Sequence, residues 1–556
     1  MASTTINSGY IGAGITLPGD YTLSNTSTGT ITNTAAAAIL GSVGGLPDTV
    51  VNSGSILGGT GAGITLLSGG TVTNQALATI GGAIGVGITG YAGTVINRGR
   101  VTASGSGLRL EAGGSLDNQA GGTIVAGYRG MVAGGGPASA TNGGLVSASA
   151  TGIVLYGSGG TATNQSGGTI LAGVDGIYVS AGSATNQGSI TATRHGIFMN
   201  AGGNVTNLTG GGISGSQNGV VVSGGGQVSN AAGATITGRY IGVDIYGASG
   251  TVTNAGTIGA TEPGVAEAVR FGVGVTNRLI VDPGAVFNGT VDGGNAIGAG
   301  FVSSLELASG ATAGILGAVA TTGIGTAGSG AKYIRFADIS VDAGAVWTFA
   351  GTNVIEAGAT LTNNGTLTNA GSLDASAGAI TDNASLANTG GISNRVLMTS
   401  GARLSNALGG TLNGGIYAAV GGTGRTVVNA GLITSTSEAT LINMQSDGTV
   451  SNVSGGVITG IQGLDISGSA SVDNRGLIIA TGDTAVSGSA VIMRRDGTVG
   501  NAAGATISGQ FYGIVFGTGV GSVTNSGSIH GGGRRNATRR ASPACSVASA
   551  TRSTSL

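Results

Sequence analysis

Charge, aromatic rings, sulfur and proline are all scarce in this chain. Of 556 residues, 8% are Asp, Glu, Lys or Arg and 4% are Phe, Trp or Tyr. Cys545 is the one cysteine, which excludes a disulfide framework and a cysteine-based metal site. Lys332 is the one lysine, and 21 basic residues against 22 acidic ones leave a net charge of −1. That balance gives no phosphate-binding footprint, so nucleic acid is not an expected partner. The two histidines, His195 and His530, stand far apart and no calcium-binding nonapeptide repeat occurs, so neither a metal nor a cofactor is expected. No run of about 18 apolar residues exists for a membrane helix. The opening MASTTINSGYIGAGITL lacks a basic segment followed by a long apolar core, and no signal peptide is read there. With only 6 prolines and no three-residue glycine period, collagen is excluded. No segment carries an apolar period of 3.6 residues, so almost no helix is expected.

What the chain has instead is glycine, 117 residues of it, set among Val, Ile, Thr and Asn in a recurring phrase. It reads GTVTNAGTIG at 250–259, TVTNQALATI at 71–80, TVVNAGLIT at 426–434 and SVTNSGSIH at 522–530. Alignment on the asparagine gives Asn33, Asn52, Asn74, Asn97, Asn118, Asn142, Asn164, Asn186, Asn207, Asn230 and Asn254. A second array runs through Asn406, Asn429, Asn452, Asn474, Asn501 and Asn525. Neighbours are mostly 21 to 24 residues apart. The step from asparagine to the next aliphatic residue alternates between six (Asn74 to Ile80) and four (Asn97 to Val101), with one slip at Asn230. The deeper unit is therefore a pair of repeats.

About 22 residues suit one rung of a right-handed parallel β-helix, three short strands joined by three turns. A single rung leaves its strand edges open and its aliphatic side chains uncovered; stacking rungs about 4.8 Å apart removes both problems. The expected strands are TVTN, then TI, then GIxV, as in GIVLY at 152–156 and GIYVS at 176–180. Alternation sends Ile153 and Leu155 inward and Val154 and Tyr156 outward. Asparagine tolerates left-handed turn geometry, and its amide both donates and accepts. Asn74, Asn97, Asn118, Asn142, Asn164 and Asn186 are accordingly expected to stack at one corner as a structural ladder. The fold class is all-β, a solenoid of about 22 residues per rung. Repeats fill 1–259 and 401–530, with an irregular stretch of longer loops over 260–400. There VDPGAVFNG (281–289) and VDAGAVWTF (341–349) share a pattern, and TLTNNGTLTNAGSL (360–373) steps by six, which suits successive faces of one rung. The ending, 531–556, is a basic, non-repeating tail that reads either as a truncated or frameshifted product or, alternatively, as a genuine basic tail, and it leaves the last rung uncapped.

The phrases TVTNAGTI and GIxV, with VDPGAVFNGTV and VDAGAVWTFAGTN, resemble the passenger regions of bacterial autotransporters (type V secretion) over nearly all of 5–530. The resemblance implies a right-handed β-helix carried to the cell surface or secreted, where such passengers adhere or aggregate. Its implied partners are glycans or proteins of a host or neighbouring cell, or further copies of the chain. The signal peptide and the run of barrel strands that accompany such passengers are not read in this chain.

Two candidate sites follow from the rungs. On the outward position of GIxV the sequence aligns Thr65, Thr89, Arg109, Val132, Val154, Tyr178, Phe198, Val221 and Asp244. Val132, Val154, Tyr178, Phe198 and Val221, with Tyr156 alongside, form an apolar stripe on a face expected to meet water, and such stripes mark contact sites. At the turn before GIxV, Arg129, Thr151, Asp175, His195 and Asn218 align, so Asp175 and His195 are a candidate polar pair one rung apart. The enzymatic alternative is a carbohydrate-active β-helix of the pectin-lyase-like kind, a polysaccharide lyase or hydrolase. It needs clustered carboxylates, and 16 Asp and 6 Glu are spread thinly over the chain. The expected function is non-enzymatic adhesion or self-association.

Overall fold

A computed structural model describes residues 3–264, 266–317, 323–325, 332–435, 439–532 and 545–549. Every helix or strand assigned among them is a β-strand, and no helix among them is long and apolar enough to cross a membrane. The strands pair in parallel as a β-solenoid of about 22 turns with roughly 23 residues each. By its contacts the chain divides into two compact units, Met1–Leu279 with Gly284–Gly294, and Ile280–Pro283 with Asn295–Leu556.

In the first unit each rung contributes one strand to each of three sheets. Gly70–Asn74, Gly93–Asn97 and Gly114–Asn118 are successive members of the first sheet. Thr79–Gly82, Arg100–Ala103 and Thr123–Ala126 belong to the second, and Val86–Ile88, Leu108–Leu110 and Met131–Ala133 to the third. Register is maintained by what points inward. Val72, Val95 and Leu116 stack in the first sheet, Ile80, Val101 and Ile124 in the second, and all are buried. Because a one-residue slip would turn this whole set outward, the apolar pattern fixes the pairing.

The corner after the first sheet holds the amide ladder. Nδ2 of Asn74 donates to Oδ1 of Asn97 at 2.8 Å, Asn97 to Asn118 at 2.7 Å, and Asn118 to Asn142 at 2.7 Å. Asn142 donates to Asn164 and Asn164 to Asn186, both at 2.8 Å. The ladder begins at Asn7 and Asn25 and ends at Asn254. Asn33 does not belong to it: TITN (30–33) is a second-sheet strand, in which Ile31 pairs with Ile56, and Asn33 Oδ1 instead accepts from the Ala35 and Ala36 amides. The strand YTLSN takes the place assigned to TITN, with Leu23 opposite Val50 and Asn25 opposite Asn52.

The alternation of corner lengths has a structural meaning. In long corners the ladder amide also reaches the carbonyl four residues on, as from Asn74 to Ala78 and from Asn118 to Gly122. In short corners it reaches the carbonyl two residues on, as from Asn97 to Gly99 and from Asn142 to Gly144. In both cases that carbonyl belongs to the residue just before the next strand. Two loop lengths thus satisfy one and the same amide. Most long corners have a positive φ at their third residue, supplied by Gly121, Gly167, Gly210 and Gly233 and at one rung by Leu77, with φ 67°, whereas the Asn25 to Gly29 corner closes without one at Thr28.

The second unit repeats these rules from new starting strands. The two TLTN copies lie on successive faces: Thr360–Asn363 pairs with Asp338–Val341 and Ala379–Asp382, and Thr366–Asn369 with Val346–Phe349 and Ser385–Asn388. A ladder runs from Asn369 through Asn388, Asn406, Asn429, Asn452, Asn474 and Asn501 to Asn525. The sole tryptophan, Trp347, is buried and donates its Nε1–H to the Ala308 carbonyl at 2.9 Å. The tail departs from the expectation of an uncapped rung. Cys545–Ser549 pairs in parallel with Gly521–Asn525, Ser549 standing opposite Asn525. A stretch with no repeat phrase still finds an edge, because backbone pairing requires no particular side chain. The rest of the tail, 533–544 and 550–556, lies outside the described residues.

A shorter pairing in this unit exposes what the ladder position requires. Asn363 Nδ2 donates to Asp382 Oδ1 at 2.7 Å, but Asp382 Oδ2, where an asparagine would carry its NH2, is buried with no partner. Burial pushes the Asp382 carboxyl up from its ordinary 3.8 to about 6, against the bonds from Asn363 and the Ala384 amide. The native state therefore binds more protons than the unfolded state between pH 3.8 and about 6, and stability falls as pH rises through that window. Asp382→Asn is expected to stabilise the protein at pH 7.5 by on the order of 2 kcal/mol, with the gain closing by pH 4, as read from urea unfolding at both pH values. Leu77 is 98% exposed, so it gains no burial from its left-handed backbone. Leu77→Gly is expected to raise stability by about 0.5–1 kcal/mol; a loss in the same unfolding assay would show that the leucine is held by contacts of its own.

Candidate functional site

The third sheet of the first unit carries the residues that depart most from the Gly, Thr and Ser of the other faces. Its strands are short, three residues in most rungs, and the middle residue points out. The register gives the outward row as Thr65, Gly87, Arg109, Val132, Val154, Tyr178, Phe198, Val221, Asp244 and Arg270. Gly87 stands where Thr89 was expected, because Val86 and Ile88 are the inward pair facing Ile64 and Leu66.

The valines of the row do not meet water as the sequence suggested. Val132, Val154 and Val221 are 6%, 2% and 3% exposed, although they point away from the core. Over Val132 and Val154, side chains from the two margins of the sheet come together. Arg129, in the turn before Met131–Ala133, and Tyr156, just after Ile153–Leu155, approach to 5.4 Å between guanidinium carbon and ring centre. They approach from opposite ends of adjacent strands, so they meet above the valines. From Tyr156 the rings continue: Tyr156 to Tyr178 at 5.8 Å, tilted by 56°, and Tyr178 to Phe198 at 5.6 Å, close to edge-on at 72°. Tyr178 and Phe198 are half-buried and Tyr156 is exposed, so this ribbon of rings, not the valine row, is the surface presented. Burial, helped by Tyr156 and Asp175, pushes the Tyr178 hydroxyl above its ordinary pKa.

Arg129, Thr151, Asp175 and His195 do share one turn position, the carbonyl of each receiving the amide of a glycine from the preceding rung. Asp175 and His195 nevertheless make no hydrogen bond. Arg194 takes the carboxylate first, its Nε donating to Oδ1 at 2.9 Å and its Nη2 to Oδ2. The His195 ring lies against Phe198 instead, centres 5.6 Å apart, with Nδ1 buried and unpartnered. Burial lowers the His195 pKa below its ordinary 6.5; Asp175 and Asp244 pull it up and Arg194 pulls it down. The arginine was missed because the sequence places it one residue from the histidine, and only the fork geometry shows which neighbour secures the acid.

The ribbon ends against a polar block. Asp244 receives Arg270 Nε at 3.1 Å and Nη2 at 2.8 Å, and Glu267 lies 3.6 Å from the same guanidinium. In the second unit Asp465 receives Arg494 in the same two-pronged manner, both bonds 2.6 Å. Asp175 and Asp244 sit three rungs apart, about 14 Å, and each is occupied by an arginine. Among the described residues no group of three His, Cys, Asp or Glu is placed to hold a metal ion. At the ladder corner, the short turn of Gln187 and Ser189 between two long ones leaves a shallow polar hollow rimmed by Ser166 and Thr209.

No protein-family model matches the chain, and no curated protein matches it.

Acidification tests the histidine's place in this layer. A buried neutral imidazole binds fewer protons in the native state than when unfolded, so the stability it contributes is present above pH 6.5 and lost as pH falls below it. The NMR titration midpoint of His195 is expected below 6.5, and lower still in Asp175→Asn, which removes the nearest negative charge. A midpoint at or above 6.5 would place the ring in water.

Proposed function

We propose that the chain is a non-enzymatic contact protein, an autotransporter-like passenger displayed at a cell surface or secreted, which adheres through the aromatic ribbon of its first unit. The observation that supports this reading most is the run Tyr156, Tyr178, Phe198, three rings in van der Waals sequence on an outward face. Rings exposed on a rigid sheet bind with little loss of side-chain freedom, and they suit both the C–H faces of sugars and the apolar anchors of a protein partner. The solenoid supplies the rigidity, because the ring-bearing strands are locked by their neighbours on both sides. The enzymatic reading has less support. Glycoside hydrolysis requires two carboxylates about 5–9.5 Å apart and free to exchange protons, whereas Asp175 and Asp244 are farther apart than this and bound to arginine, and the closer pair, Asp244 and Glu267, is held by the one Arg270 guanidinium.

Replacing Tyr178 and Phe198 together by Ser is expected to leave the β-sheet circular dichroism intact while cutting cell aggregation or glycan binding at least tenfold. Undiminished binding in a folded double variant would remove the ribbon as the contact site.

A further inference from the structure

The arginines of this face are not equivalent. Arg109 is paired with Glu111 at 2.6 Å, Arg194 with Asp175, and Arg270 with Asp244 and Glu267. Arg129 has no acidic partner among the described residues. Of the five N–H donors on its guanidinium, one is used within the protein, Nη2 donating to Tyr128 Oη at 3.2 Å. Two rings hold the group in place: its central carbon lies 4.6 Å from the Tyr128 ring centre and 5.4 Å from that of Tyr156. Both tyrosines are about half-exposed, 50% and 46%. The arrangement is thus a partly exposed, fixed cation with unused donors, flanked by ring surface.

We propose that Arg129, Tyr128 and Tyr156 form a subsite for a sugar carboxylate, so that the glycan recognised by this face is a uronic-acid polymer. This rests on the reading of the ribbon as the contact site and names the class of ligand it takes. A planar guanidinium donates two parallel hydrogen bonds to a carboxylate, which a lysine cannot do. A uronate carries that carboxylate on the pyranose ring itself, beside C–H faces that stack on aromatic rings. Arg129 and its two tyrosines place a cation and apolar surface about 5 Å apart, within the span of one such sugar. Beyond Tyr156 the ribbon continues through Tyr178 and Phe198, which lets further sugars of the polymer follow the same face.

The test titrates the full chain with oligogalacturonate, with the same oligomer fully methyl-esterified, and with a poly-glutamate peptide. Oligogalacturonate is expected to bind at least tenfold more tightly than either of the others. Arg129→Gln is expected to erase that preference, and Arg129→Lys to restore only part of it; circular dichroism verifies that each variant is folded. Equal binding of acid and ester, or an acid preference that survives Arg129→Gln, would overturn the uronate assignment. If Tyr178→Ser/Phe198→Ser still abolished binding in those cases, the ribbon would stand without it. Poly-glutamate binding as tightly as the oligosaccharide would reassign the subsite to acidic protein segments. No binding of any probe by the wild-type chain would overturn the uronate assignment outright, and cell aggregation by the double variant would then decide the ribbon separately.

Discussion

The amide of asparagine, buried at a corner and repeated once per rung, is the interaction on which the rest of the structure depends. It is a side chain that donates and accepts at equivalent reach, so identical copies satisfy one another without limit as rungs are added. Each copy also closes its own turn and touches the next, as Asn118 does with Gly122 and Leu145. An unpaired amide in such a place costs the full desolvation of a polar group, so the position tolerates almost no alternative. Asp382 shows the consequence of a near-substitute: the same shape with the donor removed leaves an orphaned oxygen and a carboxyl held away from its ordinary ionisation. Asn369, the first rung of its ladder, has a buried Oδ1 with no donor above it.

With corner and core thus specified, the outward positions are released from structural duty, and the sheets differ in how they use that freedom. Most rows carry Thr, Ser or Gly. The third sheet of the first unit builds a second layer on its outside, where Arg129 and Tyr156, reaching in from the two margins, meet over Val132 and Val154. The surface that results is made by side chains reaching across strands, and its chemistry belongs to the residues at the strand ends.

This division sets what was legible in the sequence. Strand order, parallel stacking, inward sets and the ladder from Asn74 to Asn186 follow from local phrases, since each depends on spacing within one rung and its repetition. Asn33 was misplaced because TITN and YTLSN both end in asparagine, and only the register with Asn52 separates them. Thr89 was misplaced for the same reason, a shift of two residues that preserves the pattern of alternation. The stripe was legible as residues but not as a surface: alternation assigns Val154 to the outside and contains nothing about Arg129 and Tyr156 meeting over it. The pairing of Asp175 with Arg194 was equally hidden, because two candidate partners adjacent in sequence are told apart only by side-chain reach.

The near absence of lysine belongs to the same logic. Of 21 basic residues only Lys332 is lysine, so cations here are planar. A guanidinium sits over a ring, as Arg129 does at Tyr128 and Arg395 at Tyr417, or forks a carboxylate, as Arg194, Arg270 and Arg494 do. Both arrangements fit between rungs about 4.8 Å apart. An ammonium, compact and strongly hydrated, has no face to offer such a layer. Where the outer layer uses such groups it shares a principle with the buried ladder: a flat, directional group completes its neighbour. At Arg129 the series stops with donors still unused, and it is there that the surface can accept something from outside.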